Sequence, residues 1–269
     1  MRTLATLLLA VLLGGCAENP ITGRSQFLVV SEEQAIESSA SAYREMMADY
    51  ARRKKIETGT PRARRIQVIA ERLIAEAKRL RPDSAGWSWQ ITVIDEPSTV
   101  NAFAMAGGKM GIYTGMWEKL RATDDEIAQV LGHEIGHSIA GDTRERMSVA
   151  MGVGVASTVA GIVLSGHERG HQELALTGFG AAAALAITLP NSRAAETAAD
   201  RTGIELAARA GFDPRAAATL WEKMAGQGSS PPPFLSTHPS PEDRRERLRD
   251  LAVQMDPLYR QARRPETGG

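Results

Sequence analysis

This chain has almost nothing with which to cross-link itself, few rings to stack and no excess of charge. There is one cysteine in 269 residues, so no intramolecular disulfide can form. Aromatic residues make up 5%, which leaves a core to be built from Leu, Ile, Val, Met and Ala, a set that favours helix. The 32 Lys and Arg balance 32 Asp and Glu, so the net charge is zero. That excludes the basic footprint of a non-specific nucleic-acid binder, and no nucleic-acid partner is expected. With 43% apolar and 24% charged residues the chain is globular, long enough for one domain or at most two.

The amino terminus reads as an address. Arg2 precedes an uncharged, mainly aliphatic run from Leu4 to Leu13, followed by Gly14 and Gly15. That is the order of parts in a secretory signal, and the run is far shorter than the roughly 20 apolar residues a spanning helix needs. Its end, Leu13-Gly14-Gly15-Cys16, resembles a bacterial lipobox, with Cys16 as the lipidated residue. Ala17 follows where an aspartate would resemble an inner-membrane retention signal, so the resemblance implies an outer-membrane lipoprotein facing the periplasm. The expected organisation is a signal peptide over 1–15, a lipidated tether over 16–30, one domain over 31–260 and a frayed tail over 261–269.

Within the domain, Ser31-Glu32-Glu33-Gln34 is a capping box that opens a helix to about Lys55, and Thr60-Pro61 opens another. Ile66, Ile69, Leu73, Ile74, Ala77 and Leu80 keep the spacing of a core-facing stripe on that second helix. From Trp87 to Val93 apolar and polar residues alternate, the period of a strand. Asn101–Ala106 and Lys109–Thr114, joined by Gly107-Gly108, predict a hairpin. Thr123-Asp124-Asp125-Glu126 is a second capping box, and Gly141 suits the C-terminal cap of its helix. Further helices are expected at 194–210 before Gly211, at 214–225 with Asp213 as cap, and from Ser240-Pro241 onward, with a loop over 226–233. The fold class expected is α+β, helix-dominant, with a small three-stranded sheet.

Chemistry enters at His133-Glu134-Ile135-Gly136-His137, in the middle of the second capped helix. Side chains at i and i+4 share a helical face, so both imidazoles can reach one ion while Glu134 stands beside it. A catalytic zinc takes three protein ligands and keeps a position for water, which the ion acidifies; Glu134 is placed to accept its proton. The same five-letter pattern recurs at His167-Glu168-Arg169-Gly170-His171, but there Gly166 and Gly170 flank a charged Arg169 between two uncharged stretches, where a turn is expected. The first copy is therefore taken as the site. Glu196 and Asp200 share a face of a later helix. Such a pair is often only a solvated acidic face. Beside a zinc motif lacking a ligand, Glu196 can complete two histidines and a glutamate, and Asp200 can hold a ligand imidazole by its other nitrogen.

Four stretches together resemble the gluzincin zinc metallopeptidase family of the CAAX prenyl endopeptidases, the Oma-type mitochondrial proteases, the heat-shock protease HtpX and the periplasmic proteases BepA and LoiP. They are Asn19–Gln26 ahead of Val30–Gln34, Asn101–Ala104 with Gly107-Gly108, Val130–His137, and Arg193–Gly203 leading to Ala210-Gly211-Phe212-Asp213-Pro214. The resemblance implies a zincin-type metallopeptidase domain with one zinc on His133, His137 and Glu196, Glu134 as general base and Asp200 behind the ligands. Thr237-His238-Pro239-Ser240 resembles a late family stretch, which implies that His238 either donates to the oxyanion or fills the fourth zinc position in a resting enzyme; Arg244 is a candidate neighbour. Asn101, Ala102, Phe103 and Ala104 match an edge strand beside the cleft, able to hold an extended peptide by backbone hydrogen bonds.

Residues 147–166 and 174–192 carry no charge, but the first stretch is rich in Gly, Ala, Ser and Thr and reads as a buried or membrane-apposed helical hairpin beside the site rather than a spanning one. The function implied is a zinc metalloendopeptidase that cleaves misfolded or misassembled envelope proteins, held to the outer membrane by its lipid. The rival is a chaperone or assembly factor for outer-membrane proteins, its zinc site silenced by His238.

Overall fold

The computed structural model describes residues 16–19, 21–152, 182, 185–186, 188–227, 232–239 and 243–264. The signal peptide, the second histidine motif with Glu168, most of the two uncharged stretches, Ser240-Pro241 and the last five residues lie outside them.

Local signals place most of the helices. Ser31 accepts from Gln34 N while the Gln34 side chain returns to Ser31 N, and this closed capping box starts α1 (Glu32–Arg52). Thr60 caps α2 (Pro61–Leu80), with Pro61 where its missing N–H costs nothing. A four-residue α3 (Gly115–Glu118) leads to α4 (Asp124–Ile139), opened by the reciprocal Thr123–Glu126 box and closed by Gly141 at φ +69°. Residues 142–152 are again helical. Then follow α5 (Arg193–Arg209), α6 (Ala216–Ala225), α7 (Pro233–Thr237) and α8 (Arg244–Ala262).

The strands are β1 (Cys16–Glu18), β2 (Ser25–Phe27), β3 (Ile56–Glu57), β4 (Gln90–Ile94), β5 (Ala102–Met105) and β6 (Lys109–Tyr113). The main sheet runs β3-β4-β6-β5, with β4 parallel to β6 and the predicted β5–β6 hairpin antiparallel. Gly107 and Gly108, both at φ +76°, make its turn, a conformation L side chains rarely adopt. The sheet and α2 enclose one continuous core, with Ile69 and Leu73 of α2, Met110 and Ile112 of β6 and Ile127, Leu131 and Ile135 of α4 all buried. No helix among the described residues is long and apolar enough to cross a membrane.

Several expectations need correction. The sheet has four strands, not three, because Lys55–Glu57 leaves the end of α1 and pairs with β4. The alternation from Trp87 becomes a strand only at Gln90; Pro82–Gly86 winds a tight helical turn, and Trp89 donates its indole N–H to Ser84 O. Asp213 stands just ahead of α6 rather than at its cap position. Its Oδ1 still accepts Arg215 N, a capping-type bond, while the carboxylate also pairs with the Arg215 guanidinium; the helix itself opens later than expected, at Ala216 with Arg215 at the cap position. A short helix not expected from sequence, α7, begins at Pro233, at the end of the loop expected over 226–233, and α8 runs from Arg244. Most of the stretch read as a tether is seated on the domain: β1 and β2 pair, and Asn19, Gln26 and Val30 are buried.

Candidate active site

Two helices meet at two glycines, and that contact makes the site. A Cβ on Gly132 of α4 would lie 2.6 Å from Gly203 O, and one on Gly203 of α5 would lie 2.6 Å from His133 N. Only glycine at both positions lets the backbones approach so closely. The approach brings Glu196, in the first turn of α5, under the histidines of α4. A carboxylate is favoured there by the helix N-terminus.

His133, Glu134 and His137 are all buried. The two imidazoles face one another through Nε2 at 3.0 Å. Glu196 reaches both, Oε2 at 3.3 Å from His133 Nε2 and Oε1 at 3.2 Å from His137 Nε2. Behind each ring stands a carboxylate: Asp200 Oδ1 lies 3.1 Å from His133 Nδ1, and Asp142 Oδ2 lies 2.7 Å from His137 Nδ1. With each Nδ1 turned back to its carboxylate, Nε2 is the nitrogen that each ring presents to the centre.

His238, the residue that ends α7, completes the group. Its Nδ1 is 3.2 Å from His133 Nε2 and 2.9 Å from Glu196 Oε1, and its Nε2 is 3.3 Å from Glu134 Oε1. Phe234 stacks on its ring, centroids 4.2 Å apart at 20°, and backbone bonds from His238 N to Phe234 O and from Phe234 N to Val100 O tie α7 to the segment before β5. Asn191 sets its amide 3.3 Å from His137 Nε2 and 3.4 Å from His238 Nδ1.

The electrostatics favour a cation at this point. Burial works against a charged His137, but Glu196 and Asp142 outweigh it and raise its pKa to about 10. His133 is raised in the same way: burial opposes, and Glu196 and Asp200 prevail over it and over neighbouring His137. Burial would raise Glu196, yet the two histidines hold it well below the carboxylate range. Asp200 is also held low, by Arg244 and His133 against burial. His238 is different: burial dominates and keeps it below the usual imidazole range.

Four donor atoms, one each from His133, His137, Glu196 and His238, lie within 4.8 Å of one another, all buried. Glu196 Oε2 and Glu134 Oε1 have no hydrogen-bond partner. Three nitrogens and a carboxylate oxygen converging on one point are the donor set of zinc.

Of the residues singled out from sequence, the structure brings together His133, Glu134, His137, Glu196, Asp200 and His238. Arg244 joins them, buried, its Nη1 3.0 Å from Glu196 Oε2 and its Nη2 2.6 Å from Asp200 Oδ1, with its guanidinium 3.7 Å from the centre of the Trp221 ring. Asn101–Ala104 line a narrow cleft of about 20 Å³ with Glu134, His137, Arg146, Thr237 and His238. Ala102–Met105 is an edge strand of the sheet among the described residues. Tyr113 N donates to Asn101 O, so the ladder bonds fall on alternate pairs and Ala102 and Ala104 turn their backbone groups outward, where Ala102 N meets Asn101 Oδ1 at 3.0 Å and Ala104 O meets Thr143 Oγ1 at 3.4 Å. Cys16 lies in β1, remote from this group in sequence. Three residues were missed: Asp142, Asn191 and Arg146, whose guanidinium bonds Asn191 Oδ1. Only Asp142 left a trace, as the first acid after the Gly141 cap.

Comparison with known proteins agrees with this geometry. Residues 60–252 match the family model for peptidase family M48. The chain is 34% identical over 230 residues to the mitochondrial metalloendopeptidase OMA1 of Schizosaccharomyces pombe, covering 84% of this chain and 63% of that protein. It is 29% identical over 274 residues to OMA1 of Saccharomyces cerevisiae, covering 94% and 76%. It is 31% identical over 203 residues to the beta-barrel assembly-enhancing protease of Yersinia pestis, covering 71% and 39%. The chain thus spans less than two thirds of the length of two of these three relatives.

Proposed function

We propose that this chain, which belongs to peptidase family M48, is a zinc metalloendopeptidase in which His133, His137 and Glu196 hold the ion and Glu134 is the general base. The observation that carries the reading is the buried convergence of those three donors beside a Glu134 oxygen that makes no hydrogen bond. A zinc held there supplies Lewis acidity towards a peptide carbonyl and water. Glu134 takes the proton of the attacking water and returns it to the leaving nitrogen. Asp200 and Asp142 fix the ring orientations of His133 and His137, and Arg244 neutralises the carboxylates behind them.

The substrate proposed is an extended segment of an unfolded or misassembled polypeptide, added as a strand to β5. Backbone recognition of this kind reads little of the side chains, which suits a protease of protein quality control. The lipobox-like Leu13-Gly14-Gly15-Cys16 supports an outer-membrane lipoprotein facing the periplasm, where envelope proteins are the polypeptides at hand. One observation favours a second reading, a chaperone or assembly factor with a silenced site. His238 Nδ1 occupies the fourth donor position, and the cleft has room for little more than one water.

Zinc content and casein cleavage, measured on the wild type beside Glu134→Gln and Glu168→Gln, decide between them. The expected result is zinc in all three and cleavage lost by at least about 100-fold in Glu134→Gln alone. Zinc bound to an inert wild type supports the chaperone, and no zinc in any of them sinks both.

A further inference from the structure

The first family-like stretch, Asn19 to Gln26, has so far been given no task, and it is bound to the back of this site. Asn19 and Gln26 are buried, 6% and 3% exposed, where amide side chains are mostly exposed. Both donate to Ala140 O, the last carbonyl of the active-site helix, at 2.5 and 3.0 Å, and Asn19 Nδ2 also donates to Gln26 Oε1 at 2.9 Å. Asn19 Oδ1 receives Ile21 N and Thr22 N, which shapes the turn between β1 and β2. That turn delivers Arg24, whose guanidinium pairs with Asp142 Oδ1 and lies 2.6 Å from Glu145 Oε2. Gln26 Nε2 donates to the same Asp142 oxygen at 3.1 Å. The other oxygen of Asp142 accepts from His137 Nδ1 at 2.7 Å.

Asp142 is therefore a bridge, with a histidine of the donor cluster on one oxygen and the N-terminal hairpin on the other. It is 2% exposed, so its charge has little water to lean on. A carboxylate held only through His137 is free to rotate about its Cβ–Cγ bond and carry the imidazole with it. Held on both oxygens, it is not. Zinc sites are sensitive to this: partners behind the ligands typically change metal affinity by about 10- to 100-fold.

We infer that Arg24, assisted by Asn19 and Gln26, is a positioning residue of the metal site, acting through Asp142 on His137, so that the site is complete only when the N-terminal hairpin is seated. This rests on the zinc-site reading above. The contact joins residues 118 positions apart, and no other charged side chain hydrogen-bonds Asp142 Oδ1 among the described residues. A hairpin whose only task was to cover the end of α4 would need the amides on Ala140 O, not an arginine aimed at the carboxylate that orients a ligand.

The test uses the full chain with Arg24→Gln, Arg24→Lys, Asp142→Asn and the double variant Arg24→Gln/Asp142→Asn. Three readouts apply: the rate of zinc loss to an excess of chelator, the visible spectrum after cobalt substitution, and the melting temperature of the metal-free chain. Arg24→Gln is expected to lose zinc about 10-fold faster and to shift the cobalt bands, with Arg24→Lys recovering part of both. The double variant should be no worse than Asp142→Asn alone, because Arg24 acts through that carboxylate. Zinc loss and cobalt bands equal to wild type in Arg24→Gln, with only the metal-free melting temperature lowered, would overturn the proposal in favour of a structural staple. So would additive effects in the double variant. If Arg24→Gln does not fold, Gln26→Met, which removes only the amide, carries the same comparison. Failure of the zinc-site reading itself is seen separately, as a wild-type chain that retains no metal.

Discussion

At the scale of single residues, what distinguishes this site is that each donor is held by a second group. The i, i+4 pair His133 and His137 is legible in the sequence, because their common face follows from helix geometry alone. The partners behind them were legible only in part. Asp200 shares a helical face with Glu196 and could be named beforehand, and it stands behind His133. Asp142 serves His137 across a helix end, where periodicity no longer predicts which way a side chain points. Asp200 also carries Arg244, so Asp200→Asn removes the negative charge that both His133 and a buried guanidinium face and leaves a single, weaker acceptor oxygen for the two. Zinc affinity is expected to fall about 10- to 100-fold, read by competition with a chromophoric chelator, while circular dichroism stays helical. Wild-type affinity in that variant would refute the orienting role.

At the scale of elements, the crossing of α4 and α5 decides whether donors on separate helices can meet. Gly203→Ala tests it directly. Alanine favours helix over glycine by up to about 1 kcal/mol, so a solvent-facing replacement would stabilise. Here the new methyl would lie 2.6 Å from His133 N and 2.8 Å from Gly132 C, backbone atoms that cannot swing aside. Overpacking of this kind costs about 1–3 kcal/mol, so the net effect expected is destabilisation, seen as a lower urea midpoint, with weaker zinc binding as Glu196 is displaced. A midpoint equal to or above wild type would mean that the crossing has slack. The capped ends of α1, α2 and α4 were readable because a cap lies within four residues of what it caps. The start of α6 falls two residues later than expected, because Asp213 closes its own turn on Arg215 N and the Arg215 guanidinium before the helix begins, a choice that propensity does not rank.

At the scale of the whole molecule, the donor cluster ties together the core helices, α7 and α8, so metal and stability are coupled. Zinc at about 100 times its dissociation constant adds about 2.7 kcal/mol. Chelation is therefore expected to lower the melting temperature by about 5–10 °C for a domain of this size. The same scan on His133→Ala should show no difference with and without chelator; a persistent difference there would place the stabilising metal elsewhere. By itself the sequence determined the capped helices, the β5–β6 hairpin, the paired histidines with their glutamate and the family, because each is written in local spacing or in motif order. Tertiary structure decided what the spacing could not: the fourth strand, the seating of the Asn19–Gln26 hairpin, and which carboxylate stands behind which imidazole. Those choices join residues as far apart as Arg24 and Asp142 or His133 and His238. They depend on how closely two helices can approach at Gly132 and Gly203, and that distance exists only once the chain has packed.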